Sequence, residues 1–312
     1  MHEFDLIDRF FRRPKQDPPW VRVGIGDDGA ILSASPGSEA VVVTDTSVAG
    51  VHFNKDQSAH SIGFRALAVN LSDIAAMGAT PRWITLNLTL EDASPEWVNY
   101  FADGFFELAD LYSLPLVGGD TTKGPLAVTV TVGGELPAGK GLLRGGAKEN
   151  DVIFVSGPLG GAAAALKTGR EQPSLKHALE YPSPRLELGQ ALLGLASAAI
   201  DISDGFLGDL GHLLKRSGNL GAAIELDHIP LFAEAVEALG HKQALDLALS
   251  GGDDYELCFT VSPENLSRLQ DLESAIGLRC TRVGRVTGSG GFQLLGKGST
   301  RGRDETSYQH HW

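Results

Sequence analysis

HSIGFRALAVNLSDIAAMGATPRWITLNLTL, running from His60 to Leu90, decides how this chain is read. From His60 to Met77 apolar and small residues recur without a proline, which predicts a helix. After Gly78 the run Trp83–Leu90 is rich in β-branched and aromatic residues, which predicts a strand. Outward from this pair the alternation continues. Strands are predicted at Val41–Thr44, Leu126–Gly133, Asp151–Ser156, Ala222–Leu226, Tyr255–Thr260 and Arg279–Val286. Helices are predicted at Pro95–Tyr112, Gly161–Thr168, Pro184–Ala196, Gly205–Ser217, Ile229–Leu239 and Pro263–Ile276, and Phe4, Ile7, Phe10 and Phe11 fit one helical face at the N-terminus. Such a mixture gives layers of α/β or α+β type.

The 312 residues correspond to about two domains. The Gly-rich, polar stretch LPAGKGLLRGGAKEN (Leu136–Asn150) separates two β-like runs and is the candidate junction, dividing the chain into 1–137 and 138–312. Hydrophobic residues make up 42% and charged residues 21%, enough for a buried core in each domain. Acids number 39 against 26 Lys and Arg, a net charge of −13, which argues against nucleic acid and anionic lipid as partners. No apolar run is long enough for a transmembrane helix. The start, MHEFDLIDRFFRRPK, has acids where a signal peptide needs basic charge. The two cysteines, Cys258 and Cys280, fit a buried reduced pair, so a cytoplasmic location is expected.

Function is carried by the acids. Six segments share one design: GIGDDGA (Gly24–Ala30), VVVTDTSVAGVHF (Val41–Phe53), VNLSDIAAMGA (Val69–Ala79), LVGGDTT (Leu116–Thr122), AIDISDGFLGDLGH (Ala199–His212) and SGGDDYELCF (Ser250–Phe259). In each, Asp follows or interrupts an apolar run beside Gly, Ser or Thr. Asp is a poor residue for strand interiors, so it is expected at strand ends, projecting into a cleft. Asp27, Asp28, Asp45, Asp73, Asp120, Asp201, Asp204, Asp209, Asp253 and Asp254 form this set. Neighbouring carboxylates in one cleft would repel by roughly 4 kcal/mol per pair at an effective dielectric near 20. Either their pKa values rise or cations neutralise them. An oxygen-only donor set selects hard ions such as Mg²⁺, which takes a few carboxylates together with substrate phosphates. Thr44, Thr46, Ser47, Ser72, Thr121, Thr122 and Ser203 would add hydroxyls. The reading is a site with several Mg²⁺ ions built for a polyphosphate. Taken singly, each Asp-Gly or Gly-Asp pair is better explained by a turn or a helix cap; six segments of one design favour the site.

Gly24–Gly29 (GIGDDG) fits the dinucleotide fingerprint formally, but Asp27 and Asp28 would repel the pyrophosphate, so that reading is rejected. There is neither a P-loop nor a protein-kinase catalytic loop. Ser156–Gly161 (SGPLGG) either sets a helix N-terminus against an anion or, the favoured reading, turns into a closely packed helix. Arg144 in the junction would clamp a phosphate or stand solvated. His52 follows the Asp45 segment closely enough to meet the acceptor, or is a structural histidine, and His212 belongs on a helix surface.

Taken in order, GIGDD, TDT-x-VAG-x-HF, AVNLSDIAAMGA, GGDTT, ISDG and SGG-x-DYELCF resemble the thiamine-monophosphate kinases along essentially the whole chain. That family shares a superfamily with aminoimidazole ribonucleotide synthetase and selenophosphate synthetase. The resemblance implies two α/β domains with mixed sheets in a homodimer, the N-terminal domain binding ATP and metal and forming the dimer interface. The C-terminal domain would complete active sites in the inter-domain clefts. It implies transfer of the ATP γ-phosphoryl group to thiamine phosphate. Asp28, Thr44, Asp45, Asp73, Asp120, Asp201 and Asp204 would be metal ligands, with Asp45, Asp120 and Asp204 closest to the chemistry. Gly119, Asp120, Arg144 and Ser203 would contact ATP, and His52, Asp253 and Trp312 thiamine phosphate. Several relatives have Glu at the position of Asp253, and the end SYQHHW departs from the family pattern. The alternatives are another ATP-dependent synthetase of the superfamily and a non-enzymatic metal- or nucleotide-binding module. Selenophosphate synthetase usually carries a reactive Cys near its N-terminus, and no Cys precedes Cys258 here.

Overall fold

A computed structural model describes residues 3–13, 17–288, 290–296 and 301–303. They fall into two compact units. One holds the residues up to Ile74 together with Ala79–Gly139, and the other holds Ala75–Gly78 and the residues from Lys140 onward. Both are mixed α/β.

In the first unit α1 (Glu3–Leu6) runs into a π-helical turn, Ile7–Phe11, where Leu6 and Phe11 are buried. Strands β1 (Val21–Val23) and β2 (Ile31–Leu32) pair antiparallel. Then come β3 (Ser38–Val48), α2 (Ala59–Ala76), β4 (Thr80–Leu90), α3 (Pro95–Leu111), β5 (Leu116–Lys123) and β6 (Ala127–Pro137). The sheet runs β3-β6-β4-β5, with β4 and β5 parallel and the other neighbours antiparallel. Alternation puts Ile84, Leu86, Leu88 and Leu90 of β4 and Val128, Val130 and Val132 of β6 in the core. Small residues bring the two helices into backbone contact. A Cβ on Gly104 would overlap the His60 carbonyl, and one on Gly63 the Phe101 carbonyl. The opposite face of the sheet carries a ladder of threonines. Thr44 pairs with Thr131 at 3.0 Å and Thr46 with Thr129 at 2.8 Å, and Val42 beside them is 61% exposed.

The second unit contains β7 (Val152–Val155), α4 (Gly161–Lys167), α5 (Pro173–Glu180), α6 (Leu186–Ala191), β8 (Ala198–Asp201), α7 (Phe206–Arg216), β9 (Gly221–Glu225), α8 (Ala233–Leu239), α9 (His241–Ser250), β10 (Leu257–Val261), α10 (Leu266–Ile276), β11 (Thr281–Thr287), β12 (Gly291–Leu295) and β13 (Arg301–Arg303). Its sheet order is β13-β12-β9-β11-β7-β10-β8, with β9 and β12 parallel. The core joins Ile153, Val155 and Ile200 of the strands to Phe206, Leu210 and Leu214 of α7. A smaller cluster packs α4 and α5 against α8 and α9 through Ala162, Ala165, Leu175, Leu179, Ala235 and Ala244.

Several boundaries differ from expectation for local reasons. Helix α6 ends at Ala191 rather than Ala196, and Gly194 beyond it is left-handed (φ 72°). Helix α8 begins at Ala233 rather than Ile229, because Ile229 is extended ahead of Pro230. Strand β10 begins at Leu257 rather than Tyr255, whose φ of 51° is incompatible with a strand. Cys258 is buried, as expected, and Cys280 is only half-buried; both are free thiols. No helix among the described residues is long and apolar enough to cross a membrane.

Candidate functional site

Each unit assembles part of the acidic set. In the first unit the GIGDD and GGDTT segments come together around a pocket of about 580 Å³. Asp27, Asp28, Gly119, Asp120 and Thr121 line it, together with Arg12 from the N-terminal segment. The backbone explains the glycines. Gly119 sits inside β5 at φ 150°, and a Cβ there would overlap the Leu86 carbonyl of the neighbouring strand. Only glycine lets β5 pair with β4 at this point and still deliver Asp120 to the pocket in register with Asn87. The fingerprint GIGDDG is not a strand-to-helix turn. It lies between the antiparallel β1 and β2, which removes the geometry a dinucleotide needs. Asp27 instead turns its carboxylate onto the Asp28 N–H at 2.9 Å.

Asp45 and Asp120 lie inside strands β3 and β5, not at strand ends. Both are solvent-exposed, so neither carboxylate is stranded in a core. Asp73 is in the last turns of α2 and half-buried, so it too departs from the strand-end expectation. Asp201 meets it, as the final residue of β8. Successive side chains of a strand point to opposite faces. Asp45 therefore shares the face of Val130, whereas the Thr44 hydroxyl is on the threonine side, 3.2 Å from the Val130 carbonyl. His52 caps the turn after β3. Its Nδ1 accepts the Val48 N–H at 3.0 Å, so the neutral ring carries its proton on Nε2. Arg65 donates to the His52 carbonyl at 2.7 Å and pins the turn to α2.

In the second unit two motif loops are zipped together. The Asp253 N–H donates to the Ser203 carbonyl (2.9 Å) and the Tyr255 N–H to the Ile202 carbonyl (2.8 Å). Asp253 and Tyr255 both have positive φ, 69° and 51°, a costly conformation for non-glycine residues that the surrounding bonds must hold. The Tyr255 hydroxyl donates to Asp253 Oδ1 at 3.0 Å. Ser203, Asp204 and Asp253 thus share one patch next to the buried Asp201. Beneath it lies Asp209, on α7. Burial pushes its carboxyl up to about 7; the nearby charges of Asp201 and Asp204 add to this, and bonds from the Asp204 and Ser203 N–H groups oppose it.

Asp254 decides the question of Ser156–Gly161. Its carboxylate accepts the Gly160 N–H at 2.9 and 3.1 Å at the start of α4. The acceptor at that helix end is thus a side chain of the protein itself, and the segment is the packed turn. Burial raises the Asp254 carboxyl well above its ordinary range, against the bond from Gly160 and with the charges of Glu256 and Asp253. Arg144 is exposed in the junction, its carbonyl 3.4 Å from the Ser217 hydroxyl, and His212 is exposed on α7 as expected. Trp312 lies outside the described residues. Among the described residues no three His, Cys, Asp or Glu side chains are gathered tightly enough to hold a metal ion. Arg12 has no role in the sequence reading, and Asp209 counts there only as one of the ten acids. Arg12 is 12 residues or more from any acidic motif in the chain, and only the fold reveals it. Asp209 had a signal, since it follows ISDG by one helical turn.

Residues 26–136 match the family of AIR synthase related proteins through its N-terminal domain, and residues 148–297 through its C-terminal domain. The thiamine-monophosphate kinase of Escherichia coli (strain K12) is 44% identical over 294 residues, covering 91% of this chain and 90% of that protein. The crystal structure of thiamine-monophosphate kinase from Stenotrophomonas maltophilia K279a is similar with a TM-score of 0.89 at 43% identity, covering 96% of this chain and 98% of that one. A structure described as AaThiL complexed with AMPPCP and TMP is similar with a TM-score of 0.78 at 29% identity, over 89% of each chain.

Proposed function

Because this chain belongs to the thiamine-monophosphate kinase family, with both AIR synthase related domains in order, we propose that it phosphorylates thiamine phosphate with ATP, giving thiamine diphosphate and ADP. The observation that carries this is the match over nine-tenths of the chain to such kinases, joined to a pocket that brings Asp28, Gly119 and Asp120 together. A phosphate oxygen of thiamine phosphate attacks the γ-phosphorus as the bond to the β-phosphate oxygen breaks. That oxygen is already ionised near neutral pH, so no strong base is required. Catalysis then consists of positioning and electrostatics.

The donors fit Mg²⁺: carboxylates and hydroxyls throughout, with Cys258 buried in the core and burial pushing its thiol up. Asp28, Thr44, Asp45, Asp73, Asp120, Asp201 and Asp204 would hold the ions. Bound Mg²⁺ neutralises phosphate charge and the charge that develops during transfer. Asp45, Asp120 and Asp204 would fix the reacting groups. Gly119, Arg144 and Ser203 would bind ATP, while His52, Asp253 and Trp312 would bind thiamine phosphate. The His52 ring suits this role as an Nε2–H donor. Residues 1–137 would form the nucleotide- and metal-binding domain and 138–312 the domain that completes the site in the cleft between them. The uncovered threonine face around Val42 supports a homodimer through the first domain. We place the enzyme in the cytoplasm, consistent with its free thiols.

The test is a coupled assay of ATP with thiamine phosphate, thiamine and other monoesters, followed by mass analysis of the product. Thiamine diphosphate and ADP in equal amounts, from thiamine phosphate alone, are expected. ATP loss without a phosphorylated acceptor, or a different phosphorylated product, would refute the assignment.

A further inference from the structure

We propose that Asp209 is a positioning residue for the reaction, holding the Ser203–Asp204 backbone from below through a single carboxylate oxygen. Its Oδ2 accepts the N–H of Ser203 and the N–H of Asp204, each at 3.0 Å. This rests on the reading that Ser203 meets ATP and Asp204 a metal ion.

Further backbone hydrogen bonds among the described residues tether the loop at other groups than those two N–H groups. The Ile202 N–H goes to the Glu256 carbonyl, and the Ile202 and Ser203 carbonyls accept from Tyr255 and Asp253. Tyr255 and Asp253 hold the carbonyl ends of the Ile202–Ser203 and Ser203–Asp204 peptide planes, and the N–H ends of the same two planes, which help aim the Ser203 and Asp204 side chains, are held by Asp209. It is well placed for that task. It is 3% exposed, lies in the first turn of an 11-residue helix, and its own N–H donates to the Gly205 carbonyl at 3.0 Å. Gly205, at φ 113°, makes the sharp turn into α7, and a Cβ there would stand 2.9 Å from the Ser250 backbone. The loop has no slack of its own, so a shift of the acceptor oxygen is passed to Ser203 and Asp204.

A neutral cap would satisfy two N–H groups at less cost than a buried carboxylate beside Asp201 and Asp204. Position and charge are therefore separated by two variants. Asp209→Asn keeps an acceptor oxygen in place without the charge. Asp209→Glu keeps the charge and displaces the oxygen by one methylene. If Asp209 acts by position, Asp209→Asn keeps kcat and the KM for ATP within about threefold at saturating Mg²⁺, while Asp209→Glu raises that KM roughly tenfold or more. A residue that only stabilised the fold would lower the active fraction and leave KM unchanged. Amide exchange of the metal-free proteins reads the bond itself: Ser203 and Asp204 should stay protected in wild type and Asp209→Asn and exchange faster in Asp209→Glu. The proposal is overturned if Asp209→Asn is as damaged as Asp209→Glu, if KM moves in neither, or if the two amides exchange freely in wild type. If wild type does not phosphorylate thiamine phosphate, the functional reading has failed, and amide exchange still decides whether Asp209 holds the loop.

Discussion

Asp45 is the residue whose placement says most about chemistry. It stands in register with the fully buried Val130, on the core-facing side of β3, yet is itself exposed to solvent. A carboxylate at that edge contributes little to stability, so Asp45→Asn should leave the fold intact. Loss of this proposed metal ligand should lower kcat roughly a hundredfold or more. Steady-state turnover beside a thermal melt checks both halves, and near-normal turnover would remove Asp45 from the mechanism. Asp254 behaves differently. Its carboxyl is raised, so the folded protein keeps it protonated to higher pH than the unfolded chain does. The resulting stability is complete below the ordinary carboxylate value and is lost as pH rises toward the raised one. In Asp254→Asn this contribution no longer titrates, so stability should fall less from about pH 5 to about pH 8. Urea unfolding of metal-free protein across that range measures the slope, and identical slopes would contradict the assignment.

Among the elements, β5 is the one whose sequence conceals it. Leu116–Thr122 holds two glycines and an aspartate, all weak strand formers, and reads as a motif and not as a strand. Pairing with β4 overrides that propensity, because the shared backbone of the two strands needs a residue without a Cβ opposite Leu86. Gly119→Ala should therefore cost about 2–3 kcal/mol. It should also displace Asp120 and weaken nucleotide binding, even in the fraction that folds. Denaturant unfolding and calorimetric titration with AMPPCP test the two effects, and an alanine variant with unchanged stability would show that β4 and β5 can separate there freely. Helices α5 and α9 were missed in the sequence for a related reason. Each is short, 8 and 10 residues, too short to stand alone in water, and depends on the small cluster it forms with α4 and α8.

For the whole molecule, the net charge of −13 and the acids gathered in the motifs are the basis for the proposed dependence on cations. Excess EDTA should abolish ATP binding and turnover while far-UV circular dichroism stays unchanged, and added Mg²⁺ should restore both. Undiminished nucleotide binding in chelator would end the metal reading. The threonine face of the first sheet makes a second prediction at this scale. If it is the dimer interface, Val42→Asp should yield a monomer in sedimentation equilibrium, and a variant that stays dimeric would move the interface elsewhere. The sequence by itself determined the α/β class, the family and the acidic residues proposed to carry the chemistry, because composition, local periodicity and ordered motifs are written along the chain. Tertiary structure alone decided that GIGDD meets GGDTT around one pocket, that Arg12 joins them, and that Asp209 supports the ISDG loop while Asp254 closes the start of α4. Those outcomes depend on which backbone groups are left to satisfy and which Cβ atoms fit once distant segments pack, and spacing along a chain carries neither.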